Sequence, residues 1–534
     1  MYPKLLGCIT LSICALTGRA STESSFLDQA MGETVARSML NRFGYGASAA
    51  AISDFSGITP RAYVAQGILN DSKLPDSIQA QIAASPAAEP VATTWQAFGP
   101  GGSEREGRRD NEERKKQIQR AERQYATSAI GDRLLAMAND NNPAHQALLS
   151  FWLNHFSVYA PKNFVKLLAF DYANNLESAL RGDSFESLLR ASFMHPAMQF
   201  YLDNAQSTAA DSQAAMRAEA QGKKLGINEN LARELLELHT LGVDGGYTQK
   251  DVQELARIIT GAGTWVPRMN PAALERAGAS RRGLFLFDPR RHDFGAKIFL
   301  GQHFPQGHGL DEIDRALHLL ATHPATARHI SRKLALRFMA DNPSEATLKL
   351  MTETFLHSGG KISATLFAMM QTPEFQQRLH DRAKFREPLD QIIADARAAC
   401  QSQPVGNAGL LAASALDAGE APFMKTTPDG YGTREADWMS PAAMAKRIRF
   451  AMGIAAGRIP LAHGPDDDSR ESIGLKNINS EAPRFMRGTA CDPDAALIDI
   501  TVGPVSAATT AALAGLSAKE RIAAALSSPE AMQR

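Results

Sequence analysis

Apolar residues recur every three or four positions along most of this chain, which is the spacing of one face of an α-helix. The pattern is clearest in residues 143–158, 161–181, 229–242, 248–261, 324–340, 361–371, 384–400, 440–456 and 517–527. Alternating apolar and polar positions, which would indicate strands, are rare. The predicted fold class is therefore mainly α, a large multi-helix domain.

The best strand signal lies in the segment Leu284–Leu300. Two short apolar runs flank a charged turn that contains Pro289 and Gly295. Apolar runs separated by a turn of this kind are typical of two paired strands. We predict one small β-hairpin at this place.

Polar or loop-forming stretches interrupt the helical pattern. They are a charged insertion at 101–124, a polar, Ala-rich connector at 204–224, and Gly- and Pro-rich stretches at 401–438 and 457–505. The charged insertion carries both signs, which favours a solvated face over a binding arm. The last two predict long irregular loops. We therefore predict a helical domain over residues 21–456 and a loop-rich C-terminal extension over 457–534 that ends in a helix.

The N-terminus has the features of an export signal. Lys4 precedes a short apolar run, Leu5–Leu16, and Gly18–Ala20 places small residues before a cleavage site at Ser21. The apolar run is too short to span a bilayer. We predict a signal peptide over residues 1–20, an exported protein that is periplasmic or associated with the cell envelope, and no transmembrane segment after cleavage. A buried first helix is the alternative interpretation.

Charge and cysteine content narrow the function classes. Lys plus Arg equals Asp plus Glu, at 57 each, so no strong field would attract nucleic acid. After signal cleavage only Cys400 and Cys491 remain, and whether they pair is left open by the sequence. The chain has no CxxCH motif and no strand–GxGxxG–helix unit, so neither covalent haem nor a dinucleotide is expected.

The densest group of polar residues lies in the predicted helix 229–242. At about 100° per residue, Glu234 and Glu237 are one turn and about 60° apart, so both carboxylates are able to face one metal ion or substrate. His239 lies about 140° from Glu234, so its partners would come from other segments. The alternative interpretation is an exposed ladder in which Arg233 pairs with acids four residues before and after it.

Several motifs resemble one bacterial family. The run Asn228–Val252, "NENLARELLELHTLGVDGGYTQKDV", resembles the signature of the family named domain of unknown function 1800, and Arg233, Glu234, Glu237 and His239 are motif positions. Similar family motifs occur in the expected order at Met39–Ser48, Phe151–Val158, His195–Ser207, Phe287–Gly301, His323–Leu334 and Thr372–Phe375. The resemblance covers roughly residues 36–456.

The resemblance implies an exported bacterial protein, often found beside a sulfatase-like partner, and it implies no activity. It departs at the family's Gly-Trp-Pro-Asp-Gly motif. Here Pro428–Gly430 retains the last three residues, but Thr427 stands where the tryptophan is expected. Trp438 is the nearest candidate to replace that tryptophan.

Two sets of side chains are candidates for a composite site. Glu234, Glu237 and Arg233 are the catalytic candidates, and His155, His239, His292 and Asp293 are the metal-ligand candidates. Imidazole and carboxylate ligands suit a divalent metal such as zinc, iron or manganese, and two carboxylates suit acid–base work. No HExxH spacing supports this reading. The structural alternatives are a core histidine, helix caps and turn hydrogen bonds.

Two functions follow, and the sequence leaves open whether the protein is an enzyme. The favoured one is a periplasmic helical binding or scaffold protein, acting with a sulfatase-like partner. The other is an exported, metal-assisted hydrolase with a composite His/carboxylate site. The hydrolase requires at least three candidate side chains to converge within about 5 Å around a cleft.

Overall fold

The computed structural model describes residues 25–105, 112–463 and 488–534. The predicted signal peptide, residues 1–20, and part of the charged insertion lie outside the described residues. Short helices with apolar faces build most of the described chain, which confirms the mainly α fold class. Within the described ranges, no helix is both long enough and apolar enough to cross a membrane.

The first half of the chain contains twelve of the helices that the structure describes. They are α1 Glu33–Arg42, α2 Ala49–Phe55, α3 Pro60–Leu69, α4 Asp76–Ala83, α5 Val91–Phe98, α6 Glu112–Asn139, α7 Pro143–His155, α8 Ala169–Leu180, α9 Phe185–Met194, α10 Pro196–Tyr201, α11 Gln213–Glu219 and α12 Asn230–Glu234. A π-helical segment, Leu235–His239, continues α12 directly. Residues 112–124 of the charged insertion form the start of α6, most of whose side chains reach solvent, and the second half of α6 is buried.

The second half continues with helices that carry or surround the site. They are α13 Gln249–Ile258, α14 Pro271–Arg276, α15 Leu310–Thr322, α16 Pro324–Phe338, α17 Glu345–His357, α18 Ile362–Met370, α19 Pro373–His380, α20 Pro388–Ala399, α21 Ala408–Ala418, α22 Pro441–Ala455, α23 Ala495–Val502, α24 Ala507–Leu513 and α25 Ala518–Leu526. Helix α21 lies inside a stretch that was predicted to be a loop. α16 begins at Pro324, where the His323 ring accepts the Ala325 backbone N–H.

The predicted hairpin is wrong in its pairing. Its two apolar runs do form strands, β3 Phe285–Phe287 and β4 Lys297–Phe299, but they belong to different sheets. β3 lies between β1 Ala262–Thr264 and β2 Ser280–Arg282, and both neighbours are antiparallel to it. β4 pairs with β5 Gln302–Phe304. Each strand is only three residues long, so its partner is decided by the packing around it rather than by its own pattern.

One apolar core extends from Leu27 near the start of the described chain to Ala531 near its end. The predicted C-terminal extension, residues 457–534, also contributes to this core, because α25 packs against α22 and α23. A disulfide joins Cys400, just after α20, to Cys491, with 5.2 Å between the Cα atoms. The C-terminal helices are therefore tied to the helices that surround the cavity described below.

Candidate functional site

The motif helix changes its hydrogen-bonding pattern in the middle. α12 gives way to the π-helical segment at Leu235, and Gly242 then ends the turn at a φ of +87°, donating its N–H to the Leu236 carbonyl. A π segment has more residues per turn than an α-helix, and such segments are frequent at functional sites. The angular position around the helix axis that was calculated for His239 from an ideal α-helix therefore does not apply. The His239 side chain is buried.

The three catalytic candidates lie on the solvent side of this helix. Arg233 contacts Glu229 at 3.3 Å and Glu237 at 3.6 Å, as in the ladder alternative, and it also donates to Gln249. Glu234 is partly buried, and burial, followed by the charge of Glu237, raises its pKa. The ladder accounts for Arg233 by ordinary helix-surface pairing.

His155 and His239 come together, as one half of the metal-ligand hypothesis requires. Their ring centroids are 6.0 Å apart, and His329 lies 6.3 Å from His155. The His155 Nε2–H donates to the His239 carbonyl oxygen at 3.1 Å. Both ring nitrogens of His239 and Nδ1 of His155 are buried without a hydrogen-bond partner in the described part of the chain.

These imidazoles are held in their neutral form. Burial lowers the pKa of His239 to about 3 and that of His329 to about 4, and it lowers the pKa of His155 well below its usual value. In each case the positive charge of Lys333 lowers the pKa further. Burial penalises the charged imidazolium, so the cluster is uncharged at neutral pH.

His292 and Asp293 belong to a different cluster. His292 Nε2 lies 2.9 Å from Glu312, and Lys297 donates to the same Glu312 oxygen at 2.7 Å. Asp293 forms a bidentate pair with Arg257. These bonds join β4 to α13 and α15. Across the described ranges, no three His, Cys, Asp or Glu side chains are grouped so that they could hold a metal ion.

His195, the first residue of the motif His195–Ser207, has a structural role. Its ring accepts the Ala197 N–H at the start of α10, and its Nε2 contacts Asp171 at 2.9 Å. The helix cap is the ordinary function of a polar side chain immediately before Pro at the first helical position.

A cavity of about 300 Å³ lies between α7, α16, α20 and the segment 420–437. Its lining includes His155 but none of the other predicted site residues. The charged residues that line it are Arg133, Lys333, Arg337, Glu387, Asp390, Glu420, Asp429, Arg434 and Asp437. Its apolar walls include Phe151, Leu153, Leu336, Leu389 and Phe423. Apolar walls with a few polar groups are typical of small-molecule sites.

The floor of the cavity is a closed ionic network. Arg337 donates to both oxygens of Asp390, at 2.8 and 3.0 Å, and to Glu387 at 2.7 Å. Arg534 adds a second guanidinium, 2.7 Å from Asp390. All four side chains are buried. The arginines outweigh burial and lower the pKa of Asp390 to about 2, so Asp390 is ionised and paired.

Glu420 is an acid of the site whose protonated form is favoured by its surroundings. Burial, together with the negative charges of Glu387 and Asp390, raises its pKa well above the usual value. One carboxyl oxygen accepts the Leu389 backbone N–H at 2.9 Å. Oε1 has no hydrogen-bond partner in the described residues, so the acid is able to offer a hydrogen bond inside the cavity.

Neither Arg133 on α6 nor Lys333 on α16, both of which line the cavity, has an ion pair among the described residues. Arg133 donates to the Gln146 amide oxygen at 2.8 Å, which leaves the Lys333 amine as the one of these two cations with no hydrogen-bond partner there. No carboxylate of the described chain lies within ion-pair distance, although Asp429 is near enough to raise its pKa slightly. Burial is the larger effect and lowers its pKa to about 8. At neutral pH the amine is therefore mostly charged in a partly desolvated place, next to neutral imidazoles.

The motif segment Pro428–Gly430 closes over one side of the cavity. Asn154 holds it, accepting the Tyr431 N–H at 2.7 Å and donating to the Tyr431 carbonyl at 3.0 Å. Gly430 has a φ of +77°, and a Cβ there would lie 2.3 Å from the Asn154 carbonyl oxygen. Trp438 lies beside Tyr431, with 6.2 Å between ring centroids. The motif is thus a tight clamp on the end of α7.

Sequence reasoning missed Lys333, Glu387, Asp390 and Glu420. They are spread over three segments and have no diagnostic spacing. Three of the family motifs nevertheless contribute to the lining: Phe151–Val158 through His155, His323–Leu334 through Lys333, and the Pro-Asp-Gly motif through Asp429.

A family model described as "Protein of unknown function (DUF1800)" matches residues 38–533. No curated protein and no solved structure shows a significant match to the chain. The match covers nearly the whole chain and includes the cavity, its clamp and the C-terminal helices. The chain therefore belongs to the DUF1800 family.

Proposed function

We propose that this chain is an exported protein that binds a small organic molecule in the cavity between α7, α16, α20 and the segment 420–437. The observation that carries the proposal is the pair of Lys333 and Glu420. Both side chains line one cavity, and each has polar atoms without a partner in the described residues. Polar groups that are desolvated and unpaired lower the stability of the folded protein. Such destabilising groups occur mostly at functional sites.

The proposed location outside the cytoplasm is supported by the disulfide between Cys400 and Cys491. Disulfides persist in oxidising compartments and are rare in the cytosol. Export is tested by fractionating cells and sequencing the N-terminus of the mature chain. A chain that begins at Ser21 in the periplasmic or envelope fraction supports the proposal, and an uncleaved cytosolic chain contradicts it.

A role as a scaffold for a sulfatase-like partner is the second part of the proposal, and it rests on the family resemblance alone. Co-purification of the two proteins from the native envelope, through a tag on this chain, tests it. Recovery of the partner at a constant ratio after a wash in high salt supports a complex, and loss of the partner in that wash contradicts it.

The metal-assisted hydrolase receives less support from the geometry. His155 and His239 are neighbours, but His292 and Asp293 are engaged with Glu312, Lys297 and Arg257 in a separate cluster. Elemental analysis of the purified mature chain tests this alternative. A stoichiometric divalent metal that is lost in His239→Ala, with the fold intact, would favour the hydrolase over simple binding.

Ligand binding in the cavity is tested with a fragment library of neutral, cationic and anionic compounds, screened by ligand-observed NMR. Leu336→Trp is the blocking variant, because Leu336 lines the cavity from α16 and a larger side chain there would fill it. Arg332→Trp is the matched control, since Arg332 is on the same helix but exposed. Hits that persist in the control and vanish in the blocking variant support the proposal. Hits unaffected by Leu336→Trp, or no hits at all, contradict it.

A further inference from the structure

The charge balance inside the cavity differs between its floor and its α16 wall. On the floor, two guanidinium groups, of Arg337 and Arg534, face the two acidic side chains of Glu387 and Asp390, and the four groups pair within 3.6 Å. The floor therefore carries no net charge. It has no free carboxylate with which to balance another cation.

The wall formed by α16 carries one uncompensated positive charge. The positive charge of Lys333 acts on imidazoles from three elements, namely His155 of α7, His239 of the π segment and His329 of α16 itself. All three rings are neutral, so none supplies an anion. Asp429 of the clamp is the nearest acid with an electrostatic effect on Lys333, and it lies beyond ion-pair distance and is exposed.

The remaining walls suit the uncharged body of a ligand. Phe151 and Leu153 come from α7, Leu336 lies one turn beyond Lys333, and Phe423 faces them from the segment after α21. Burying an apolar group against such walls is favourable by about 25 cal/mol per Å². Glu420, neutral and with Oε1 unpartnered, offers a single hydrogen bond at the floor.

We propose that the cavity binds a small organic anion of single negative charge, a carboxylate with an apolar body, whose oxyanion pairs with the Lys333 amine. This inference rests on the proposed function, because it names the ligand class of the same cavity. A single charge is specified because Lys333 is the one amine among the described lining residues, and Arg133, the buried guanidinium without an ion pair, already donates to Gln146. The anion would neutralise an ammonium group that is partly removed from water. A hydrogen bond between charged groups is also about twice as strong as one between neutral groups.

The test compares three probes that share one apolar body: 4-phenylbutyrate, 4-phenylbutan-1-ol and 4-phenylbutylamine. Binding of each to the full mature chain is measured by isothermal titration calorimetry at neutral pH. We expect the carboxylate to bind at least about tenfold more tightly than the alcohol, and the amine to bind more weakly still. Phenyl phosphate, which carries a second charge, is expected to bind less well than benzoate.

Lys333→Met removes the charge and keeps a similar length of side chain, and Lys333→Arg keeps the charge. We expect Lys333→Met to lower carboxylate binding at least about tenfold and alcohol binding by much less. Lys333→Arg should retain part of the preference for the anion. Lys349→Met is the control, because Lys349 is 77% exposed on α17 and does not line the cavity.

Two outcomes would overturn the inference. Equal affinity for the carboxylate and the alcohol, unchanged by Lys333→Met, would mean that Lys333 does not distinguish an anion from a neutral ligand. If Leu336→Trp still abolished binding in that case, the cavity would remain a binding site and only the proposed ligand class would be wrong. Absence of carboxylate binding to the wild-type chain also overturns the inference. The fragment screen then decides separately whether the cavity binds anything.

Discussion

Replacing Lys333 by methionine should stabilise the empty protein, although it removes a residue of the proposed site. The folded state lowers the pKa of this amine from 10.5 to about 8, chiefly by burial. Each tenfold change in a proton-binding constant is worth about 1.4 kcal/mol, so holding the ammonium costs the folded state up to about 3 kcal/mol at neutral pH. Lys333 is partly exposed, so solvent screening reduces this cost and about 3 kcal/mol is its upper limit.

The stability difference between Lys333→Met and wild type should depend on pH. The unfolded chain keeps the Lys333 proton up to its usual pKa of 10.5, whereas the folded chain releases it near 8. Between these values the unfolded state binds more protons, so the free energy of unfolding rises with pH. Below the folded pKa the whole penalty is present. The advantage of Lys333→Met should therefore be largest at about pH 7 and shrink towards about pH 10.

Urea unfolding followed by circular dichroism, on wild type, Lys333→Met and Lys349→Met across this pH range, measures the effect. Lys349 is 77% exposed, so its replacement should change the free energy of unfolding by less than about 0.5 kcal/mol at every pH. A constant difference between wild type and Lys333→Met across the range would refute the argument. So would a less stable Lys333→Met at neutral pH, because the ammonium would then be well solvated or paired.

Three further predictions concern the parts that support the cavity. Replacing both Cys400 and Cys491 by alanine should lower the free energy of unfolding by about 2–4 kcal/mol, because the disulfide closes a long loop, and reducing the wild type should give the same loss in a denaturant titration. Asn154→Ala removes both bonds to Tyr431, so amides of the clamp should exchange hydrogen faster, while those of α25 stay unchanged. Lys297→Met leaves the buried Glu312 carboxylate without its amine partner, so we expect calorimetry to show a free energy of unfolding lower by about 3–5 kcal/mol. A decrease below about 1 kcal/mol would contradict the role of this pair in joining β4 to α15.

Much of the helical structure was predictable because it depends on neighbours in sequence. The pattern at 324–340 and 440–456 matches α16 and α22 to within two residues at each end. Thr248 starts α13 in a capping box with Asp251, and the spacing of Thr and Asp three residues apart is visible in the sequence. Caps and apolar stripes are short-range features, so residues within one or two turns determine them.

Elements whose geometry depends on distant contacts were not predictable in the same way. The runs at 284–300 form strands, yet β3 and β4 pair with other partners, because three-residue strands follow the surface against which they pack. The π segment at Leu235–His239 changes the angular position of His239, and a calculation at a fixed angle per residue does not include such a change.

By itself, the sequence determined the mainly α fold, the family and the Arg233 ladder, since each depends on spacing along one segment. Only the tertiary structure decided where charge remains unpaired. Asp390 and Glu387 meet Arg337 and Arg534 across long stretches of chain, and that pairing is what leaves Lys333 without an anion. The free energy of a charge depends on its burial and on partners brought from other elements, and neither quantity can be read from the order of the residues.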